Sequence, residues 1–288
     1  MVIMVPMLYI WLLIWEEVTM RKKLIFMLII GFIVGGMIFW INNYEPKNYK
    51  CLVLGDSISN GYGLEDINGS YANQMIAKIR EECISKKDDI TIKNESVNGM
   101  QSKELLESIR NGKIEIEEDT DIITLSIGGN DILRPFKSIL ADIKNDLNKN
   151  NNSIEGFIKV KDKLIKNSEI IKSAKDFSST FNKIIEEIKH RAPNSKIYVM
   201  NVYNPYNDCK ILTFNLGDMV EEYIGILNDA FDNKTNEYIT VNVFEAFKNE
   251  EYVTNADIMK LDFDPHPNSK GHKIIADLFV EAIKKDLS

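Results

Sequence analysis

From residue 50 to the end of the chain, short apolar stretches of strand character alternate with longer amphipathic stretches of helical character. This alternation constrains the fold most, because strands separated by helices pair in parallel and carry helices on both faces of the sheet. The predicted strands are residues 50–54, 90–97, 122–127, 196–202 and 239–244. The predicted helices are residues 70–83, 102–109, a long region between 132 and 190, 217–234 and 269–285. We therefore predict an α/β fold built on a five-stranded parallel sheet.

Residues 134–180 form a longer connection than one crossover needs. An Asn- and Lys-rich break at 148–153 separates two amphipathic segments, whose apolar faces carry Ile139, Ile143 and Ile184. In one interpretation these faces simply cover the sheet. In the other they belong to a helical cap that shapes a ligand pocket. The sequence favours neither interpretation over the other.

The composition is that of an ordinary globular protein and excludes some classes of partner. The chain has 288 residues, of which 44% are hydrophobic and 27% are charged. Its net charge of -8 disfavours nucleic acid as a partner, because phosphate binding needs a basic face. The three cysteines, Cys51, Cys83 and Cys209, do not suggest a disulfide framework, although a single disulfide among them stays open.

The N-terminal part of the chain has the pattern of a membrane segment. Residues 24–41 are an almost unbroken apolar run without charge, and Arg21, Lys22 and Lys23 directly precede it. Such a run spans most of a hydrocarbon layer about 30 Å thick, and basic residues stay on the cytoplasmic side. We predict an uncleaved signal-anchor with the rest of the chain outside the cytoplasm. The alternative is a cleaved signal peptide and a secreted protein.

The remaining N-terminal residues are an apolar extension that is short for a second membrane span. They are either an upstream extension outside the translated protein or part of a two-helix anchor. The predicted organisation is an N-terminal extension of uncertain status at 1–19, a transmembrane helix at 20–43, a linker at 44–49 and a folded domain at 50–288.

Four chemically distinctive residues each follow a predicted strand. Ser57 comes directly after the first strand, Gly99 after the second, Asn130 after the third and His266 after the last. The carboxyl ends of parallel strands share one edge of the sheet, which is where open α/β folds bind ligands. We therefore expect these four residues to converge.

Together the four residues suit nucleophilic catalysis. A serine hydroxyl needs a base to become a nucleophile, and His266 can supply it. Attack on an ester carbonyl creates an oxyanion, for which the backbone N–H groups of Ser57 and Gly99 and the amide of Asn130 are candidate donors. A metal site at Asp262, Asp264 and His266 is the weaker interpretation, because no further histidine is placed to complete a ligand set.

The stretches around these residues resemble the four sequence blocks of the SGNH, or GDSL, hydrolase family. They are Gly55-Asp56-Ser57-Ile58, Gly99, Gly129-Asn130-Asp131 and the final block before His266-Pro267, and they occur in the family's order. Residues 55–64 are especially similar to the esterase and lysophospholipase branch. The resemblance implies a flavodoxin-like α/β/α sandwich with Ser57 as nucleophile, His266 as base, Gly99 and Asn130 in the oxyanion hole, and no metal or organic cofactor.

The sequence departs from the family at the partner of the histidine. The family has an aspartate three residues before the histidine, and this chain has Phe263 there. Pro265 biases Asp264 toward an extended conformation, in which residues two apart point to the same side. We therefore rank Asp264 first as the acceptor of the His266 Nδ1 proton, a backbone carbonyl such as that of Phe263 second, and Asp262 third.

The resulting functional prediction is a membrane-anchored, extracytoplasmic serine esterase that acts on lipids or small acyl compounds. The first alternative is an O-acetyl esterase or an acyltransferase that acts on cell-surface polysaccharide. The second is a surface binding module without catalysis. An ester substrate and the membrane are the predicted partners, and the sequence predicts no oligomeric state.

Overall fold

The computed structural model describes residues 19–149, 162–165, 167–207, 210–211, 214–232, 236–248, 252–253 and 264–287. The chain divides into two compact units, Met1–Pro46 and Lys47–Ser288. Some of the interpretations made from the sequence concern residues outside this described part. These residues are 1–18, Cys209, Asp262, Phe263 and most of the break at 148–153.

The described elements alternate as the sequence predicts. The helices are α1 (Met20–Asn42), α2 (Tyr71–Glu82), α3 (Ser102–Arg110), α4 (Gly129–Lys149), α5 (Ser168–Arg191), α6 (Leu216–Asn228), α7 (Val243–Ala246) and α8 (Ser269–Leu287). The strands are β1 (Asn48–Gly55), β2 (Asp89–Asn94), β3 (Ile122–Ser126), β4 (Lys196–Met200), β5 (Lys210–Ile211), β6 (Phe214–Asn215) and β7 (Ile239–Val241).

Five strands form one parallel sheet in the order β2-β1-β3-β4-β7. β5 and β6 pair separately and antiparallel. The predicted five-stranded parallel sheet is therefore confirmed. The strand order reverses between β1 and β3, and such a switch point leaves a crevice at the carboxyl ends of the two strands. Gly55 and Ser126 are paired at that end of the sheet.

Alternate residues of β1 belong to two separate cores, because successive side chains of a strand point to opposite faces. Leu52 and Leu54 pack in one core with residues of α3, α4, α5 and α6. Cys51 and Val53 pack in the other core with residues of α2 and α8. Both faces of the sheet are thus covered by helices, as the alternation of elements predicts.

Two helices on the sheet face that carries Leu52 and Leu54, α5 and α6, begin at asparagine side chains that accept from free backbone N–H groups. The Asn167 side chain accepts from the N–H groups of Glu169 and Ile170 at the start of α5. The Asn215 side chain accepts from Gly217 N at the start of α6. Such caps typically stabilise a helix by about 1 kcal/mol.

The described part of the 134–180 connection covers the sheet. Phe136 and Ile139 of α4 and Phe177 of α5 are buried in the first core. Full burial of such side chains contributes about 1.5–3 kcal/mol each. Phe136 also lines the pocket described below, so this region covers the sheet and shapes a pocket as well.

The N-terminal unit contains α1, which covers most of the predicted transmembrane segment. Its large apolar side chains are exposed, including Leu24, Ile29, Phe32 and Met37. Counting only the residues whose placement is described, no helix is both long and apolar enough to cross a membrane. The transmembrane helix at 20–43 stays a prediction from the sequence.

Candidate active site

The carboxyl end of β1 approaches β3 too closely for a side chain. Gly55 has a φ of +134°, and a Cβ atom there would lie 2.1 Å from the carbonyl oxygen of Ser126. Asp56 N donates to that same oxygen at 3.0 Å. Only glycine suits this backbone, which fixes where the chain leaves the sheet and enters the loop with Ser57.

The loop after Ser57 folds back on itself through backbone hydrogen bonds. Tyr62 N donates to Ser57 O at 3.0 Å. The hydroxyl of Ser59 donates to Leu54 O at 3.1 Å and contacts the Tyr71 hydroxyl at 2.8 Å. Ser57 follows the end of β1 and is only 7% exposed. It is reached through the pocket that it lines.

The structure brings Ser57, His266 and Asp264 together in one hydrogen-bonded chain. His266 Nε2 lies 2.8 Å from Ser57 Oγ. His266 Nδ1 lies 2.5 Å from Asp264 Oδ1, which also accepts from His266 N at 3.1 Å. The same carboxylate oxygen thus holds both the ring and the backbone of His266. This is the contact that the first-ranked option for the Nδ1 partner requires.

Two tyrosines that the sequence analysis did not single out support His266. The buried Tyr203 donates its hydroxyl proton to Pro265 O at 2.5 Å. The half-exposed Tyr62 places its ring 4.7 Å from the His266 ring, centroid to centroid. Tyr62 is five residues after Ser57 in the same loop, so its position in the sequence already indicates that it lies near the site. Tyr203 lies 63 residues before His266, and no local pattern links the two.

Gly99 lies in a turn that is joined to the end of β1. Val97 N donates to Gly55 O at 3.0 Å, and Met100 N donates to Val97 O at 3.1 Å. Gly99 has a φ of +74°, which is the left-handed region that favours glycine. The turn therefore lies beside the Ser57 loop, as the sequence predicts.

Asn130 lies at the start of α4, and its side chain points toward the carboxyl end of the sheet, where Asp56 and Met100 lie. Its Nδ2 donates to Met100 O at 3.2 Å and to Asp56 Oδ2 at 3.4 Å. Both hydrogen bonds are long and weak. A developing oxyanion attracts a donor more strongly than a neutral carbonyl does, so it can replace Met100 O as the acceptor.

The carboxyl groups beside Ser57 and Asn130 fix loops through hydrogen bonds. Asp56 Oδ1 accepts from Ile58 N and Ser126 Oγ, both at 3.1 Å. Asp131 accepts from the backbone N–H and the hydroxyl of Ser102 at 3.0 and 2.6 Å. Burial raises the pKa of Asp56 to about 7 and also raises the pKa of Asp131.

His272 is fully buried near the start of α8 and has a structural role. Its Nδ1 accepts from Tyr71 N, the first residue of α2, at 3.2 Å. Burial lowers its pKa to about 4, with a further contribution from His266. It is therefore neutral at physiological pH and joins α2 to α8.

A mainly apolar pocket opens onto Ser57 and His266. Asn130 also lines it, whereas Gly99 lies in the adjoining turn. Its apolar walls come from α4, from α6 and from the chain after β4, and include Ile132, Leu133, Phe136, Val202, Tyr206, Val220 and Ile224. The pocket therefore presents hydrocarbon surface next to the serine and histidine pair.

Comparisons with known proteins found a relative in sequence and several structures of similar fold. Over 252 residues, the chain is 25% identical to the uncharacterized protein YpmR of Bacillus subtilis (strain 168), which covers 84% of this chain and 86% of that protein. The structure is similar to the lipase Lip_vut3 from a goat rumen metagenome, with a TM-score of 0.59 at 16% identity over 83% of this chain and 100% of that one. It is also similar to phospholipase A1 from Streptomyces albidoflavus NA297, with a TM-score of 0.55 at 16% identity over 82% and 99%.

The structural similarities concern the fold, since the identities are low. The family is shown by the sequence, because residues 53–274 match the model of the GDSL-like Lipase/Acylhydrolase family. This range contains Ser57, Gly99, Asn130 and His266. The chain therefore belongs to the GDSL-like lipase/acylhydrolase family and is, at that general level, a carboxylic ester hydrolase.

Proposed function

We propose that the protein is a serine esterase that hydrolyses carboxylic esters of lipids or small acyl compounds through an acyl-enzyme at Ser57. The observation that carries this proposal is the apolar pocket that opens directly onto the Ser57 Oγ and His266 Nε2 atoms, 2.8 Å apart. A nucleophile within hydrogen-bond reach of a base, which is in turn held by a carboxylate, is the arrangement that acyl transfer requires.

In the first half-reaction, Ser57 Oγ attacks the ester carbonyl carbon while its proton passes to His266 Nε2. The tetrahedral intermediate then collapses, the bond to the alcohol oxygen breaks, and His266 returns the proton to the leaving alcohol. In the second half-reaction, water gives a proton to His266 and attacks the acyl-enzyme. In the collapse of this second intermediate the bond to Ser57 Oγ breaks and His266 returns the proton to that oxygen, which releases the carboxylic acid and restores the Ser57 hydroxyl.

Asp264 stabilises the charged histidine that both half-reactions form. Its Oδ1 atom, 2.5 Å from His266 Nδ1, keeps that nitrogen protonated and leaves Nε2 free to accept the serine proton. The oxyanion receives hydrogen bonds from the N–H groups of Ser57 and Gly99 and from the Asn130 amide. One such donor is worth about 3 kcal/mol, or roughly 10²–10³ in kcat.

The pocket favours an acyl chain over a glycan as the group that it holds. Sugar recognition needs polar partners, whereas Ile132, Phe136, Val220 and Ile224 offer only hydrocarbon. The lipase and the phospholipase with similar folds are named for action on lipids. The polysaccharide O-acetyl esterase is thus the second candidate, and an acyltransferase would share the same acyl-enzyme but pass the acyl group to another alcohol.

We expect the isolated domain from residue 44 onward to hydrolyse p-nitrophenyl esters with increasing kcat/KM as the acyl chain grows beyond acetate. Each methylene that enters an apolar pocket adds about 0.8 kcal/mol, so the increase is about fourfold per methylene until the pocket is full. The same assay includes an acetylated glycan, with the Ser57→Ala variant as the blank. Preference for acetate and for the glycan would contradict the lipid-type substrate and favour the O-acetyl esterase.

For the location, we propose that residues 20–43 anchor the protein and that the domain lies outside the cytoplasm. What supports this is the order of Arg21, Lys22 and Lys23 before an uncharged apolar run, together with the exposed apolar side chains around α1. A helix that is apolar all round is stable only inside a protein core or a lipid layer. Cleavage of the segment would give a secreted enzyme instead.

Protease added to spheroplasts that express the full chain is expected to remove the domain, because the basic residues keep only the N-terminal end inside. The measurement is immunoblotting of an epitope placed at the C-terminus, with a cytoplasmic protein as the control for intact membranes. Survival of the epitope until the membrane is lysed would show that the orientation is wrong. Recovery of the epitope in the medium would favour the cleaved form.

A further inference from the structure

The direction of the Gly99 N–H depends on the type of turn that residues 97–100 form. Met100 N donates to Val97 O, and φ is positive at Gly99 but not at Asn98, which defines a type II turn. Type I and type II turns differ by a flip of the central peptide, which here joins Asn98 to Gly99. That flip would turn the Gly99 N–H to the opposite side of the chain.

The peptide that follows Gly99 is held at both of its ends. Its N–H, from Met100, donates to Val97 O at 3.1 Å. Its carbonyl, from Gly99, accepts a hydrogen bond of 2.6 Å from Nη2 of Arg134. With this peptide fixed, the turn has a rigid frame against which the central peptide is oriented.

The remaining hydrogen bonds of Arg134 tie the turn to the start of α3. Nη1 and Nη2 donate to the two carboxylate oxygens of Glu104, each at 2.8 Å. Nη1 also donates to Gln101 Oε1 at 2.8 Å. Glu104 Oε2 in turn accepts from Gln101 N at 2.8 Å. Only the planar fork of an arginine can hold these three acceptors at once, since the donors of a lysine radiate from a single atom.

Arg134 also connects the two places that supply oxyanion donors. It lies one helical turn after Asn130 on α4, and Gln101 Nε2 donates to Asn130 O at 3.3 Å. The guanidinium therefore links the helix that carries Asn130 to the turn that carries Gly99. Its donors are directed at protein acceptors, which leaves the group poorly suited to bind a substrate anion.

We propose that Arg134 is a positioning residue for the oxyanion hole, which holds the Gly99 turn in the form that directs the Gly99 N–H at the reacting carbonyl. This inference rests on the proposed esterase function. Arg134 and Glu104 have side chains that are 47% and 45% exposed, and an exposed ion pair contributes little to folding. Loss of Arg134 should therefore lower the rate far more than the stability.

The proposal is tested by comparing the full-length wild-type chain, in detergent, with Arg134→Met and Arg134→Lys. Misplacement of one oxyanion donor should lower kcat about tenfold or more in Arg134→Met, with KM changed less than about twofold. The kcat of Arg134→Lys should lie between those of the wild type and Arg134→Met, because the lysine ammonium can still reach Gly99 O. The matched control is Arg110→Met, which removes an arginine of similar exposure from its ion pair with Glu187. That control should keep the wild-type kcat.

Hydrogen exchange of the peptide that contains Met100 gives a readout that needs no substrate. Exchange there should be about tenfold faster in Arg134→Met than in wild type and unchanged in Arg110→Met, because opening of the turn exposes the Met100 N–H. Unchanged exchange, or unchanged kcat in an active enzyme, would overturn the positioning role. Inactivity of the wild-type chain on every ester would count against the proposed function instead, and exchange would then decide the role of Arg134 in the turn.

Discussion

Replacing Ser57 with alanine is expected to abolish ester hydrolysis and to leave the fold intact. Loss of the serine nucleophile costs on the order of 10⁶ in kcat in a serine protease. The substitution removes one oxygen atom, whose hydrogen bond is to His266 Nε2 and not to the sheet. Thermal unfolding should therefore change little, and hydrolysis should fall to the background rate.

A serine-directed phosphonate should label the wild-type protein at Ser57 alone, as seen by mass spectrometry of the digested chain. Ser59→Ala is the matched control, because Ser59 lies two residues away and bonds to Leu54 O and Tyr71. That variant should lose about 1–3 kcal/mol of stability but keep the label and the activity. Full activity in Ser57→Ala, or a label on another serine, would remove Ser57 from the nucleophile role.

Replacing Asp264 with asparagine is expected to lower kcat by about 10⁴, which is the effect of the equivalent change in a serine protease. The asparagine can still accept from His266 N, so the local turn is preserved. It cannot neutralise a protonated imidazole, and it can orient the ring so that Nδ1 accepts instead of donating. The loss should therefore appear in kcat with little change in thermal stability.

Asp262→Asn separates this expectation from the alternatives. If Asp264 is the partner of His266, the Asp262 variant should retain activity close to that of wild type. A collapse in Asp262→Asn with a normal Asp264→Asn would reverse the assignment. Near-normal rates in both variants would favour a Ser57–His266 dyad supported by a backbone carbonyl.

The central strands β1, β3 and β4 could be predicted because they are mostly buried on both faces and therefore contain nearly continuous apolar runs. The ends of strands were less predictable. The sequence predicts β2 to residue 97, but the strand ends at Asn94, whose side chain accepts from Ser96 N at 3.0 Å and starts a local turn. Glu95 N and Val97 N still donate to carbonyls of β1 before the chain enters the Gly99 turn. The pair of two-residue strands β5 and β6 is too short to leave a periodic pattern.

A site residue could be located from the sequence where its position depends on residues close to it along the chain. Ser57, Gly99 and Asn130 follow the ends of strands, and Asp264 lies only two residues before His266, to which it is hydrogen-bonded. Arg134 and Tyr203 could not be found in this way. Arg134 contacts Gly99 35 residues away, and Tyr203 contacts Pro265 62 residues away, so both contacts exist only once the sheet has formed.

The buried carboxyl of Asp56 makes proton uptake part of folding. Its pKa is about 7 in the folded chain because of burial, whereas an unfolded aspartate titrates near 3.8. Below about pH 4 both states are protonated, so the group contributes no pH dependence. As the pH rises from about 4 to about 7, the unfolded chain ionises first and stability declines, by roughly 4 kcal/mol in total. The residue beside the nucleophile therefore favours the folded state in mild acid, and above neutrality the fold must hold a carboxylate that water would solvate better.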